Sequence, residues 1–266
     1  MTLADLDFLL LETEKVKKEI HSLKYEKQDV RHSFYCLFYT ITYDYYLGQV
    51  SYTLSKLMAN ERVTFHEKDI GFSNHFHRIT QIAKIELMEM GFFATLNRNV
   101  ILNSWTAFEL AISDIFNTIC ADNEKDKIII DLNHKIIKAI GDLAQENQEV
   151  VIKSLTKSTF IPLIRKFRNL VDKNKYKRNY KKDLEFLTFV NAYRNCMLHS
   201  NGIYNGKNFE YEYNEVKFEF IDQEMFSETN HYPYVYWDMA FEIKNIFSTL
   251  INCVNHKELI EYKSKY

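Results

Sequence analysis

The chain has 266 residues, of which 46% are hydrophobic and 26% charged, with a formal net charge of -2. That balance excludes a disordered chain, and the near-neutral total excludes a globally basic nucleic-acid binder, so any such surface must be local. Only 6 Gly and 2 Pro are present, too few for the many tight turns of an all-β protein, so an all-α fold of long helices is expected.

Residues 4–25 read as an amphipathic helix, with Leu6, Leu9, Leu10, Val16, Ile20 and Leu23 recurring at helical spacing. Asp5 and Asp7 stand where a signal peptide needs basic residues, and no apolar run approaches bilayer length; a cytoplasmic protein without membrane contact is expected. A second segment, 29–58, is crowded with rings. Phe34, Phe38, Ile41 and Tyr45 share one helical face, although Thr40-Ile41-Thr42-Tyr43 also suits a strand. Asn60–Asp69 reads as a loop, and helical periodicity resumes near Ser73. Gly91 and Asn97-Arg98-Asn99 are expected to break that run, with Asn99 capping a helix over 100–120. Trp105, Phe108, Ile112 and Ile115 form its apolar stripe. Shorter helices are expected at 124–144, 146–157 and 160–173, then a longer one at 183–200 ended by Asn201-Gly202.

There the period changes. Phe209–Tyr213 and Val216–Phe220 alternate apolar and charged residues across Asn214-Glu215, which predicts a β-hairpin within about 207–221. A last helix is expected over 234–259, with Met239, Ile243, Ile246, Phe247, Leu250 and Val254 inward. The four cysteines, Cys36, Cys120, Cys196 and Cys253, are widely spaced and make neither a zinc pattern nor a disulfide framework. His75 and His77, two apart, point different ways on a helix and do not suggest a metal site.

The segment richest in chemistry is Asn191–Gly202. Asn195 and His199 are four apart and share a helix face, so the amide can orient the imidazole. Arg194 precedes His199 by five and offers a planar, permanently charged fork suited to phosphate oxygens. Histidine moves protons near neutral pH. RNA carries its own nucleophile, the 2′-hydroxyl beside each phosphate, so such a set can cut RNA in a scheme that requires no metal and no cofactor. Cys196 and His199 are too close on one helix for the geometry of a thiol nucleophile and its base. The plainer alternative has Arg194 paired with a carboxylate and His199 capping the helix C-terminus.

Arg194-Asn195-x-x-x-His199 resembles the R-x4–6-H signature of the HEPN superfamily (higher eukaryotes and prokaryotes nucleotide-binding). Ser104-Trp105-Thr106-Ala107-Phe108-Glu109 resembles the first bundle helix of several HEPN branches, and the hairpin followed by a closing helix resembles the abortive-infection and toxin branches. The resemblance covers roughly residues 95–260. It implies a HEPN-like helical bundle with an appended hairpin over 91–266, preceded by an extra N-terminal helical region, 1–90, of unassigned role. It also implies a metal-independent endoribonuclease with Arg194 and His199 catalytic and Asn195 supporting them. A homodimer whose two motif helices line one cleft, a toxin or antiphage role, and restraint by an antitoxin or regulatory protein come with it. Some members bind RNA, nucleotide or protein without cutting, and that is the alternative function.

Two further features bear on the same chemistry. Glu109, flanked by Phe108 and Leu110, either holds Arg194 or His199 in place or sits at the wet edge of its helix. Between Arg165 and Lys182 nine basic residues face a single acid, Asp172, with Tyr176 and Tyr180 interleaved. Arg168, Lys175, Tyr176, Lys177, Arg178 and Lys181 are candidate RNA contacts there; a solvated loop is the commoner fate of such runs.

Overall fold

The structure, a computed structural model, describes residues 3–23, 25–59, 86–140, 145–199, 202–229, 232 and 234–254. It is mostly helical with one small antiparallel sheet. In chain order the elements are α1 (Leu3–Leu23), α2 (Val30–Ala59), α3 (Glu86–Ile119), α4 (Asp122–Leu132), α5 (His134–Ala139), α6 (Gln145–Ser158), α7 (Leu163–Leu170), α8 (Tyr180–His199), β1 (Phe209–Tyr213), β2 (Val216–Phe220), β3 (Ser227–Thr229) and α9 (Val235–Ile251).

The centre of the packing is α9. Val235, Tyr236, Trp237, Met239, Ala240, Ile243, Ile246, Phe247 and Leu250 are all buried, so the helix is apolar on nearly every side, as a helix surrounded by others must be. Phe247 meets Phe34 of α2 at a centroid distance of 3.8 Å and Phe108 of α3 edge-on at 6.4 Å. Each such ring, fully withdrawn from water, contributes about 1.5–3 kcal/mol. α2 and α9 both lie along α3, α1 lies on α2, and α7 and α8 close the other side of α3. The boundary near residue 90 falls inside α3; side chains of α1, α2, α3, α7, α8, the sheet and α9 share one core, while Ile128 and Ile129 of α4 join Phe116 and Ile161 in a smaller one.

Polar groups tie this core at fixed points. The Asp29 carboxylate accepts from the Arg31 backbone N–H at 2.8 Å at the start of α2, and its other oxygen takes the Arg31 guanidinium at 2.5 Å, both side chains being buried. Lys244 of α9 donates to Glu19 of α1 at 2.5 Å, and the Tyr35 and Ser248 hydroxyls share a 2.6 Å hydrogen bond.

Several sequence expectations need correction. The helix does not break at Asn97-Arg98-Asn99. Asn97 is buried, and its amide oxygen accepts from the Tyr45 hydroxyl at 2.8 Å; this partner on α2 replaces the turn that Asn would otherwise favour. The helical reading of 29–58, by contrast, holds through Thr40–Tyr43, where the Thr40 and Thr42 hydroxyls bond back to the carbonyls of Cys36 and Tyr39. The helix expected over 124–144 divides at Asn133, whose side-chain amide donates to the Ile129 carbonyl at 2.9 Å. Pro162 starts α7 later than expected. The loop near 60–69 and the resumption near Ser73 lie outside the described residues.

The hairpin has the expected register, Phe209 opposite Phe220 and Tyr213 opposite Val216. Asn214 and Glu215 both adopt positive φ, 46° and 68°, the conformation of the two-residue turn that suits the twist of a hairpin. β3, too short to announce itself by periodicity, adds a third strand on β2. The inward residues Val216, Phe218 and Phe220 bury the sheet on α8, where Phe189 stacks on Tyr211 at 4.4 Å.

Candidate functional site

The C-terminal half of α8 carries the candidate residues. Leu187, Val190 and Tyr193 are buried on its inner side and fix its rotation, so Arg194 and Asn195 emerge at the boundary with solvent. Tyr193 meets Phe226 edge-on at 5.2 Å. The helix stops where Gly202, at φ 89°, donates its N–H to the Cys196 carbonyl at 3.0 Å, a closure that needs a left-handed residue. From Gly202 the backbone is stitched to the far side of the hairpin. Phe226 donates to the Gly202 carbonyl at 2.8 Å, Tyr204 to Glu224 at 2.9 Å, and Gln223 to Tyr204 at 2.8 Å.

The side chain of Arg194 is partly buried. One terminal nitrogen lies 3.9 Å from the carboxylate of Glu109 on α3, and the other donates to the Asn195 side-chain oxygen at 3.0 Å. Glu109, 85 residues before Arg194 in the chain, is thus a spatial neighbour of the Arg194-Asn195 pair. His199 occupies the last position of α8; its side chain lies outside the described residues.

Asn195 also lines a groove of about 410 Å³ between α8 and the segment leading into β1. Thr188, Asn191, Ala192 and Cys196 complete the helical wall; Tyr204, Asn205 and Phe209 form the other. The Tyr204 and Phe209 rings meet edge-on at 5.8 Å, and Phe209 in turn stacks on Phe220 at 4.5 Å. Asn205 accepts from Gln223 at 2.7 Å. Burial pushes the Cys196 thiol and the Tyr204 hydroxyl above their ordinary pKa values, so both stay protonated near neutral pH. A protonated Cys196 is a weak nucleophile. Apart from Asn195 and Cys196, the groove residues were not singled out in the sequence. The spacing of Thr188, Asn191 or Ala192, and Asn195 was the available signal, but the opposing wall depends on the stitch between residues 202–204 and 223–226.

The basic stretch separates into two sets. Arg168, Lys175, Lys177 and Lys181 are exposed, with Lys175 3.4 Å from Asp172 and Lys181 3.9 Å from Glu185. Tyr176 and Arg178 do not fit the proposed RNA surface. Tyr176 is buried, its ring edge-on to Phe167 at 6.3 Å and its hydroxyl donating to Asp183 at 2.6 Å, so no face is left for a base. Arg178 makes two 2.9 Å hydrogen bonds to Asp183 and an ion pair with Glu242, and the bond to Asp183 raises its pKa further. Its charge is spent inside the fold. Lys166 is buried too, donating to Ser113 at 3.0 Å beneath the Phe160 ring, and desolvation lowers its pKa.

No family model matches the chain, no curated protein matches it, and no solved structure matches it. Among the described residues no helix is long and apolar enough to cross a membrane.

Proposed function

We propose that the protein is a HEPN-type, metal-independent endoribonuclease that acts as a homodimer in growth arrest or phage defence, under the restraint of a partner protein. The observation that carries this reading is the Arg194 guanidinium, which lies against Glu109 and donates to Asn195, itself a lining residue of the groove. A carboxylate on one side and an amide on the other orient the fork, and a planar, oriented guanidinium is what recognition of a phosphate requires.

In the proposed reaction His199 takes the proton from a ribose 2′-hydroxyl, the 2′-oxygen attacks phosphorus, and the P–O5′ bond breaks. The departing 5′-oxygen receives a proton, from His199 or from its counterpart in the second subunit. Arg194 stabilises the charge that builds on the phosphoryl oxygens. The products are a 2′,3′-cyclic phosphate and a 5′-hydroxyl, so no water or metal enters the balance.

The test is incubation of the purified chain with mixed RNA in EDTA beside Arg194→Ala and His199→Ala. Cleavage by the parent that both variants lose, with cyclic-phosphate ends, is the expected result. Absence of cleavage, or equal cleavage by all three, removes the nuclease reading. The second reading is a binding module for RNA, nucleotide or protein. It is favoured by the groove wall itself, which offers amides, rings and two groups that stay protonated, features that hold a ligand rather than move its protons.

A further inference from the structure

We propose that the groove between α8 and the entry to β1 is a pocket for one nucleobase, placed to select the nucleotide whose phosphate meets Arg194. The inference rests on the RNA reading of Arg194 and adds a substrate preference to it.

The argument begins with size. A space of about 410 Å³ lies within the roughly 300–1,000 Å³ of small-molecule sites and fits a single base better than a stretch of folded RNA. Its chemistry is that of base recognition. One wall carries the aromatic rings of Tyr204 and Phe209, held by packing on Phe220. The other carries the carboxamides of Asn191 and Asn195, groups that read the donor and acceptor edge of a base. The Asn195 oxygen is already taken by Arg194, which leaves its amino group as the donor for a ring nitrogen or keto oxygen.

Position makes the ligand a nucleotide rather than any flat polar molecule. Asn195 touches both the groove and the guanidinium, so a base beside Asn195 has its phosphate within reach of Arg194. The exposed basic residues of the 165–182 stretch do not line this groove and cannot supply base selection. They would hold any sequence alike.

The experiment uses the full chain and four probes that cannot be cut, the 3′-monophosphates of uridine, cytidine, adenosine and guanosine, with inorganic phosphate as the reference. Binding is followed by calorimetry beside Ala192→Trp, which fills the groove from a half-exposed position, and Asn191→Ala, which removes an amide. The expected result is that at least one nucleotide binds about tenfold or more tightly than phosphate. Ala192→Trp abolishes that advantage, Asn191→Ala lowers it, and phosphate affinity stays unchanged in both. Thermal melts of the two variants check that they fold. If all four nucleotides bind no better than phosphate, or if the preference survives Ala192→Trp in a folded protein, the proposal fails. Its fate is separable from that of the nuclease. RNA cleavage that requires Arg194 but keeps its base preference in Ala192→Trp leaves the enzyme standing without the pocket. Nucleotide binding lost in Ala192→Trp, in a chain that cuts no RNA, leaves the pocket without the enzyme.

Discussion

Arg178 and Arg194 look alike in the sequence, each in a segment suited to phosphate, yet the fold gives them opposite surroundings. Arg178, with Tyr176 behind it, closes onto the buried Asp183 through two 2.9 Å hydrogen bonds and reaches Glu242 as well. Arg194 meets its carboxylate, Glu109, at 3.9 Å, beyond hydrogen-bonding length, and leans on a neutral amide beside a cavity. A guanidinium held by two carboxylates serves the structure; the longer carboxylate contact of Arg194 and its bond to a groove-lining amide are what the proposed role draws on. Charge density along a sequence does not separate the two cases, because it counts cations without counting the acids that the fold brings to them.

The comparison can be broken at each end. The largest effect is expected from Arg194→Ala, which should lower RNA cleavage by about 100-fold or more, the scale of losing one donor to a developing anion. Its melting midpoint should move by less than about 2 °C, as suits a partly exposed side chain whose carboxylate contact is 3.9 Å long. A destabilised Arg194→Ala would recast this arginine as a structural one. Arg178→Ala should do the reverse. Stripping the buried Asp183 of its cation should cost about 3 kcal/mol, read by urea unfolding, while cleavage per folded molecule holds. Loss of cleavage without loss of stability would put Arg178 in the site after all.

A smaller effect separates Lys166 from the exposed lysines. Its amine is desolvated and its pKa lies below the ordinary 10.5, so the unfolded chain binds the proton more readily than the native one does. This contribution therefore favours folding increasingly as pH rises towards 10.5 and counts against it below the lowered pKa. Relative to Lys166→Met, the parent should gain stability over that alkaline window, measured by denaturant midpoints; a constant gap would contradict it. The smallest effect belongs to Lys177→Ala and Lys181→Ala. Each should weaken single-stranded RNA binding only about threefold, regardless of base, and flatten its salt dependence. A base-selective loss would shift recognition from the groove to these lysines.

What was legible in the sequence follows the range over which each feature is decided. The hairpin and its register were readable because alternation and a two-residue turn are local. The inward stripe of α9 was readable because helical period and burial agree along it. Asn97 was misread because its partner, Tyr45, lies 52 residues away, and Tyr176 was misread because its hydroxyl belongs to an acid on the following helix. At the candidate site, Glu109, Arg194 and Asn195 could be named from residue type, spacing and the resemblance stated above. The groove could not, since its second wall exists only when residues 202–204 pair with 223–226.

The position of α9 has a consequence for how the molecule is made. The element on which α2 and α3 close follows them in the chain, so on the ribosome those helices present Phe34, Phe108 and their neighbours with no mate until it emerges. Domains close as units, and this one cannot do so until translation has passed residue 251. Until then the Arg194 helix rests on an unfinished support, since Tyr193 packs against Tyr236 of α9.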